Sequence, residues 1–191
     1  MKVTETSLPG VLLFEPSVFG DDRGFFLETW SAARYHDAGV KDGFVQANHA
    51  HSRRGVLRGL HFQMGRPQAK LVWVSRGEIF DVAVDIRRGS PNFGRWAGAT
   101  LSGENHSQLF VPAGFAHGYF VVSESADVSY LCSDVYWPAG DRGIRWDDPA
   151  IGIAWPHGEK FLSAKDRALP LLADATDLPV TEPLSRGERA G

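Results

Sequence analysis

From Lys70 to Ile86 the chain reads KLVWVSRGEIFDVAVDI, and in its second half Phe80, Val82, Val84 and Ile86 alternate with Asp81, Ala83 and Asp85. A period of two is the spacing of side chains on a half-buried strand. Arg76, Gly77 and Glu78 separate this strand from the apolar run LVWVS, which predicts a hairpin with a glycine-containing turn. Further strands are predicted over 56–63, 96–101, 108–111, 117–122 and 128–134, divided by turn clusters such as GSPNFG and SGENHS. Short strands at regular spacing predict an all-β sandwich, barrel or jelly roll. Helical signals are few. One helix is predicted from Ser31 to Ala38, with Ser31 as N-cap and Gly39 past its end; a shorter one opens at Ser163, where SAKD sets an acid three residues after a cap. From Asp174 the chain reads DATDLPVTEPLSRGERAG, polar and proline-bearing, which predicts a loosely held tail over 175–191 behind a single domain of residues 1–174.

Composition agrees with many turns and a real core. Glycine and proline make up 32 of the 191 residues but are scattered, as turns between strands would scatter them, and 43% of the chain is hydrophobic, enough to fill one domain. The net charge of -3 argues against a nucleic-acid polymer as partner. A lone cysteine, Cys132, permits no internal disulfide. No apolar run approaches the roughly 20 residues that span a bilayer, and the opening MKVTETSLPGVLLFEP is broken by Pro9 and Gly10, unlike a secretion signal. The expectation is a cytoplasmic domain without a membrane partner.

Candidate chemistry concentrates in two segments. QANHAHSRRGVLRGLHFQ, from Gln46 to Gln63, holds three histidines and three arginines. His49, His51, Arg53 and Arg54 fit a solvated loop or sheet face, whereas Arg58 and His61 interrupt an apolar run, where an unpaired polar group is costly. Strict alternation sets Arg58 with Val56 and Leu60 on one face and His61 with Leu57 and Gln63 on the other. Gly59 lies between them, and a glycine inside a strand is where a bulge can re-aim a side chain, so the two are expected to converge. The second segment is VPAGFAHGYFVV, in which His117 and Tyr119 share one face of a strand after a turn at Pro112 and Gly114. Its PxGxxH spacing is similar to half of the cupin metal motif. The other half needs a second imidazole where this chain has Gln63, a poor ligand for a transition metal, so no metal site is expected.

Six segments, DDRGFFLETW, QANHAHSRRGVLRGLHFQ, QAKLVWVSRGEIFDVAVDIRRGSPNFGRW, LFVPAGFAHGYFVV, YLCSDVYWPAGDRGIRWDDPAIGIAWP and LSAKDRALPLL, together closely resemble the dTDP-4-dehydrorhamnose 3,5-epimerase family. They run in order from about Gly10 to Leu172. The resemblance implies a cupin-type jelly roll with a few short helices, a homodimer, no cofactor, and a dTDP-linked 4-keto-6-deoxyhexose as substrate. By position, His61 matches the family's catalytic base, Asp166 the carboxylate that holds it, Tyr130 the acid on the opposite face, and Lys70 the lysine beside the C4 oxygen. Arg23, Gln46, Asn48, Arg58 and His117 match residues that contact nucleotide, diphosphate or sugar, and Phe26 and Glu28 belong to the nucleotide-binding segment.

Inverting a carbon beside a ketone asks for such a set. A proton leaves one face, charge develops on the ketone oxygen, and a proton returns from the other face. An imidazole, with a reference pKa of about 6.5, suits the first step, and a carboxylate on its other nitrogen fixes the tautomer. An ammonium suits the enolate oxygen and a phenol suits the returning proton, while arginines pair with diphosphate oxygens. Structural readings compete at three positions: Asp166 as a helix cap, Tyr130 as an ordinary strand tyrosine, and Lys70 as a charge guarding a sheet edge. Two residues depart from the family pattern, Val135 where an aromatic is common and Ala50 where serine is. The rival readings are a one-carbon epimerase of the same fold, a metal-dependent cupin, and a catalytically silent sugar-binding cupin.

Overall fold

The computed structural model describes residues 1–181 of the chain. In chain order the strands are β1 (Lys2–Glu5), β2 (Leu12–Glu15), β3 (Val18–Asp21), β4 (Gly24–Leu27), β5 (Gln46–Arg53), β6 (Leu57–Gln63), β7 (Lys70–Arg76), β8 (Glu78–Asp85), β9 (Trp96–Ser102), β10 (Gln108–Val111), β11 (Phe115–Val121), β12 (Ser125–Cys132) and β13 (Asp141–Gly143). Two short helices, α1 (Ala32–Asp37) and α2 (Ala164–Arg167), accompany them. One sheet runs β1, β2, β10, β7, β12, β5; the other runs β13, β6, β11, β8, β9; and β3 with β4 forms a separate hairpin. These are the two antiparallel sheets of a jelly roll.

Parity along the strands decides what fills the space between the sheets. Val72 and Val74 of β7, Ile79 and Ala83 of β8, Tyr119 and Val121 of β11 and Ala126 and Val128 of β12 form one buried cluster. The opposite parity packs outward. Leu71 meets Phe14, Phe110 and Tyr35 of α1, while Val82, Val84, Leu60 and Phe62 meet Ile151, Leu172 and Leu178 from the C-terminal segments. Burying both sides of a sheet in this way removes far more apolar area than a single face would, at about 25 cal/mol per Å².

Three expectations need correction. The residues 70–86 do not form a hairpin: β7 pairs with β10 and β12, β8 pairs with β9 and β11, and the turn at Gly77 carries the chain from one sheet to the other. A side chain at Gly77, whose φ is +80°, would strike the Ser125 carbonyl. Second, β8 is not half-buried. Its apolar face is covered by the C-terminal segments, and Asp81 and Asp85 on the other face are fully buried because each has a cationic or imidazole partner, Arg87 for Asp85 and His117 for Asp81. Third, part of the expected loose tail is docked. Ala175 and Leu178 are buried because they close the outer cluster over β8, and the Val180 backbone bridges to Arg88. The rest of that stretch, 182–191, lies outside the described residues. Helix α1 forms where expected but its N-cap Ser31 makes no side-chain cap bond, whereas Ser163 Oγ accepts the Asp166 N–H at 3.0 Å and starts α2. Among the described residues, no helix is long and apolar enough to cross a membrane.

Candidate active site

The site begins with two glycines in contact. Across β6 and β11, Tyr119 pairs with Arg58 and His117 with His61, so the register shifts between them. At Gly59, φ +128°, a Cβ would lie 2.6 Å from Gly118 Cα, and a Cβ at Gly118 would lie 2.6 Å from the Arg58 carbonyl. Only glycine at both positions lets the backbones approach this closely. The irregularity reverses the parity of β6. Val56 packs with the inner core, Leu60 and Phe62 pack outward, and Arg58 and His61 both line one cavity of about 710 Å³ between the sheets.

On the β6 and β11 side both histidines face a carboxylate, while the buried Tyr119 hydroxyl has no hydrogen-bond partner among the described residues. His61 Nε2 lies 2.6 Å from Asp166 Oδ1, and His117 Nε2 lies 2.8 Å from Asp81 Oδ1. A carboxylate only accepts, so in each neutral imidazole the proton sits on Nε2 and Nδ1 carries the lone pair. Burial pushes the Asp166 carboxyl up, but the bonds from His61, Ser163 and the Gly59 N–H outweigh it and hold the group below the usual carboxylate range. Asp166 is 4% exposed, and Ser163, not Asp166, caps α2: Ser163 Oγ accepts the Asp166 N–H, while the Asp166 side chain meets His61. Arg58 is steadied by its Nε, which donates to Ser52 Oγ at 3.1 Å.

The facing sheet contributes Gln46 and Asn48 of β5, Lys70 of β7, and Tyr130 and Cys132 of β12. Lys70 does not guard an edge, for β7 lies between β10 and β12 and the side chain shares the inward parity of Val72. Burial draws its pKa below the ordinary lysine value, against the pull of Cys132, Asp81 and Asp141. Burial also raises the Tyr130 phenol, with Cys132 and Tyr119 adding and Arg58 opposing, which keeps it protonated at neutral pH. Eight of the eleven residues singled out in the sequence thus line this cavity. Arg23, Phe26 and Glu28 do not. They sit on or beside the exposed β3–β4 hairpin, where Arg23 pairs with Asp21 and Glu28 with Arg34, and where Phe19, Phe25 and Phe26 are 65%, 62% and 69% exposed.

Sequence reasoning passed over residues behind the cavity wall and at its rim. Asp81 was visible as an acid in an apolar strand, but its partner His117 is 36 residues away. At the mouth, Tyr136 OH donates to Asp141 Oδ2 at 2.9 Å, and Lys165 pairs with the same carboxylate. Burial pushes the Asp141 carboxyl up, and Lys165 and Tyr136 more than offset it, leaving it lowered. Among the described residues no group of three or more His, Cys, Asp and Glu side chains is arranged to hold a metal ion. The imidazoles face carboxylates, and Gln63 is engaged with backbone groups.

Comparison with known proteins places the chain in a family. The model of dTDP-4-dehydrorhamnose 3,5-epimerases matches residues 5–174. The dTDP-4-dehydrorhamnose 3,5-epimerase of Pseudomonas aeruginosa is 51% identical over 181 residues, covering 94% of this chain and 100% of that protein. The epimerase of Legionella pneumophila, solved in complex with dTDP-4-keto-L-rhamnose, superimposes with a TM-score of 0.92 at 48% identity over 95% of this chain and 99% of its own. ChmJ, a 3'-monoepimerase of Streptomyces bikiniensis solved with dTDP-quinovose, is 36% identical with a TM-score of 0.86 and 91% of each chain covered. The chain belongs to the dTDP-4-dehydrorhamnose 3,5-epimerase family.

Proposed function

We infer that this protein inverts C3 and C5 of dTDP-4-dehydro-6-deoxy-D-glucose, giving dTDP-4-dehydro-L-rhamnose, without a cofactor. The observation that carries the reading is the His61–Asp166 pair on one wall of a cavity whose other wall bears Tyr130 and Lys70. His61 Nδ1, its lone pair free of the Asp166 bond, takes the proton beside the ketone, and Asp166 steadies the imidazolium that results. The Lys70 ammonium offsets the charge growing on the C4 oxygen, where a low-dielectric wall strengthens it. Tyr130, its pKa raised by burial, is a protonated donor for the opposite face and is refilled from solvent. The ketone is the electron sink. Arg58 binds a diphosphate oxygen, while Gln46, Asn48 and His117 meet sugar and base.

Arg23, Phe26 and Glu28 enter this reading through a second copy of the chain. Their hairpin is exposed and apolar at Phe19, Phe25 and Phe26, and a homodimer that lays it across its partner's cavity buries those rings and adds a cation beside Arg58. Inversion at both carbons is favoured over a single one because the Pseudomonas aeruginosa 3,5-epimerase is 51% identical to this chain, whereas the 3'-monoepimerase is 36% identical. Proton NMR of the dTDP-4-keto sugar in deuterated buffer tests this. Exchange at both C3 and C5 is expected; exchange at one carbon supports the monoepimerase reading, and none at either overturns both.

A further inference from the structure

Residues 133–137 run along the cavity mouth between β12 and a single turn of 3-10 helix at Pro138–Gly140. Side chains hold much of their backbone. Gln68 Nε2 donates to the Asp134 carbonyl at 2.7 Å, and Gln46 Oε1 accepts the Tyr136 N–H at 2.8 Å. Gln63 uses both ends of its amide: Nε2 donates to the carbonyls of Arg66 at 2.5 Å and Val135 at 3.1 Å, and Oε1 accepts the Trp137 N–H at 2.8 Å. It is 7% exposed, so solvent does not easily replace these bonds. The Trp137 ring lies over Gly65, where a Cβ would come 2.5 Å from it. The strap so held presents Tyr136 at the rim with its hydroxyl on Asp141.

We propose that Gln63 is a positioning residue: it holds the 133–137 strap, and through it Tyr136, in the shape that the nucleotide sugar meets. The inference rests on the nucleotide-sugar reading of the cavity. It also accounts for the residue type at a position where a cupin metal site would carry imidazole. The strap demands a donor for two carbonyls and an acceptor for one N–H from a single flat group, which a carboxylate or an apolar chain does not supply. With the amide removed the strap loosens in the free protein and substrate must re-order it on binding, so affinity falls while the reacting groups stay in place.

Gln63→Met keeps the volume and removes the amide. Hydrogen exchange is expected to show loss of protection at the Tyr136 and Trp137 amides while β8 and β11 stay protected. Steady-state kinetics are expected to show KM raised about tenfold with kcat within about twofold. Gln63→Leu, which likewise removes both the donor and the acceptor, serves if the methionine variant does not fold, and the same pattern is expected. Unchanged protection, or a loss in kcat with KM unchanged, overturns the inference. A wild type that does not turn over the substrate overturns the functional reading instead, and the exchange measurement alone then decides whether Gln63 holds the strap.

Discussion

Asp166→Asn separates catalysis from architecture at one atom. Asparagine matches aspartate in shape, and the Asp166 backbone N–H that Ser163 Oγ accepts at 3.0 Å is untouched, so α2 still starts where it does. What changes is the partner of His61 Nε2, now 2.6 Å from a carboxylate oxygen. An amide NH2 turned toward that nitrogen donates to it and moves the imidazole proton to Nδ1, the atom needed as the base. If the amide oxygen is turned inward the tautomer survives, but the imidazolium loses a charge-assisted bond worth about 1.5–3 kcal/mol, roughly 10- to 150-fold in rate. The Gly59 N–H, which also favours the carboxylate, competes for that oxygen and biases the amide toward the damaging orientation. The corresponding exchange in a Ser-His-Asp triad lowers kcat about 10⁴-fold, so a fall of roughly 10²- to 10⁴-fold is expected here. Deuterium incorporation at C3 and C5 by NMR reads the rate directly, and thermal melting reports whether the fold is intact. An Asp166→Asn protein with wild-type exchange would refute the dyad and leave Asp166 with a structural role alone.

Tyr130→Phe should lower epimerisation by about 10²- to 10⁴-fold while exchange at the first carbon persists, because proton removal does not need the far-side donor; equal loss of both by NMR would refute that division. Lys70 is charged when active and its pKa is drawn downward, so kcat/KM should decline at alkaline pH below the ordinary lysine value of about 10.4, and a pH–rate profile flat up to that value would refute its role. Gly118→Ala puts a Cβ 2.6 Å from the Arg58 carbonyl, so roughly 1–3 kcal/mol of stability should be lost by denaturant melting, together with activity in the folded fraction. Mixing Arg23→Ala and His61→Asn proteins under subunit exchange should restore turnover, since one mixed cavity then has both groups; no recovery would sink the second-copy reading.

Strands β6, β7, β8, β11 and β12 were legible as apolar runs, and the turns because glycine and proline mark them; β5, polar along most of its length, was not legible as a strand. Nor was pairing. Nothing local in residues 70–86 distinguishes a hairpin from a chain that crosses between sheets, because both need a tight turn at Gly77, and only the partners β10, β12, β9 and β11 decide. The N-terminal strands β1 to β4 escaped for a related reason. Their burial is low and uneven, with β3 fully exposed, so no period of two was there to read.

The site shows the same limit at the level of single atoms. Alternation set Arg58 and His61 on opposite faces, and the one residue that reverses this, Gly59, is recognisable in sequence only as a permission. What requires it is Gly118 on β11, whose missing Cβ lets the two backbones touch. His61 and Asp166 are 105 residues apart, and SAKD is a complete capping signal without any second role, so the carboxylate's partner had no local signature. Gln63 is the converse case: judged as a ligand it is deficient, whereas judged against the strap its donor and acceptor are both used. A polar residue at an inward position of a strand therefore announces that something faces it. Only the register between strands says whether that is a substrate, a carboxylate, or the chain's own backbone.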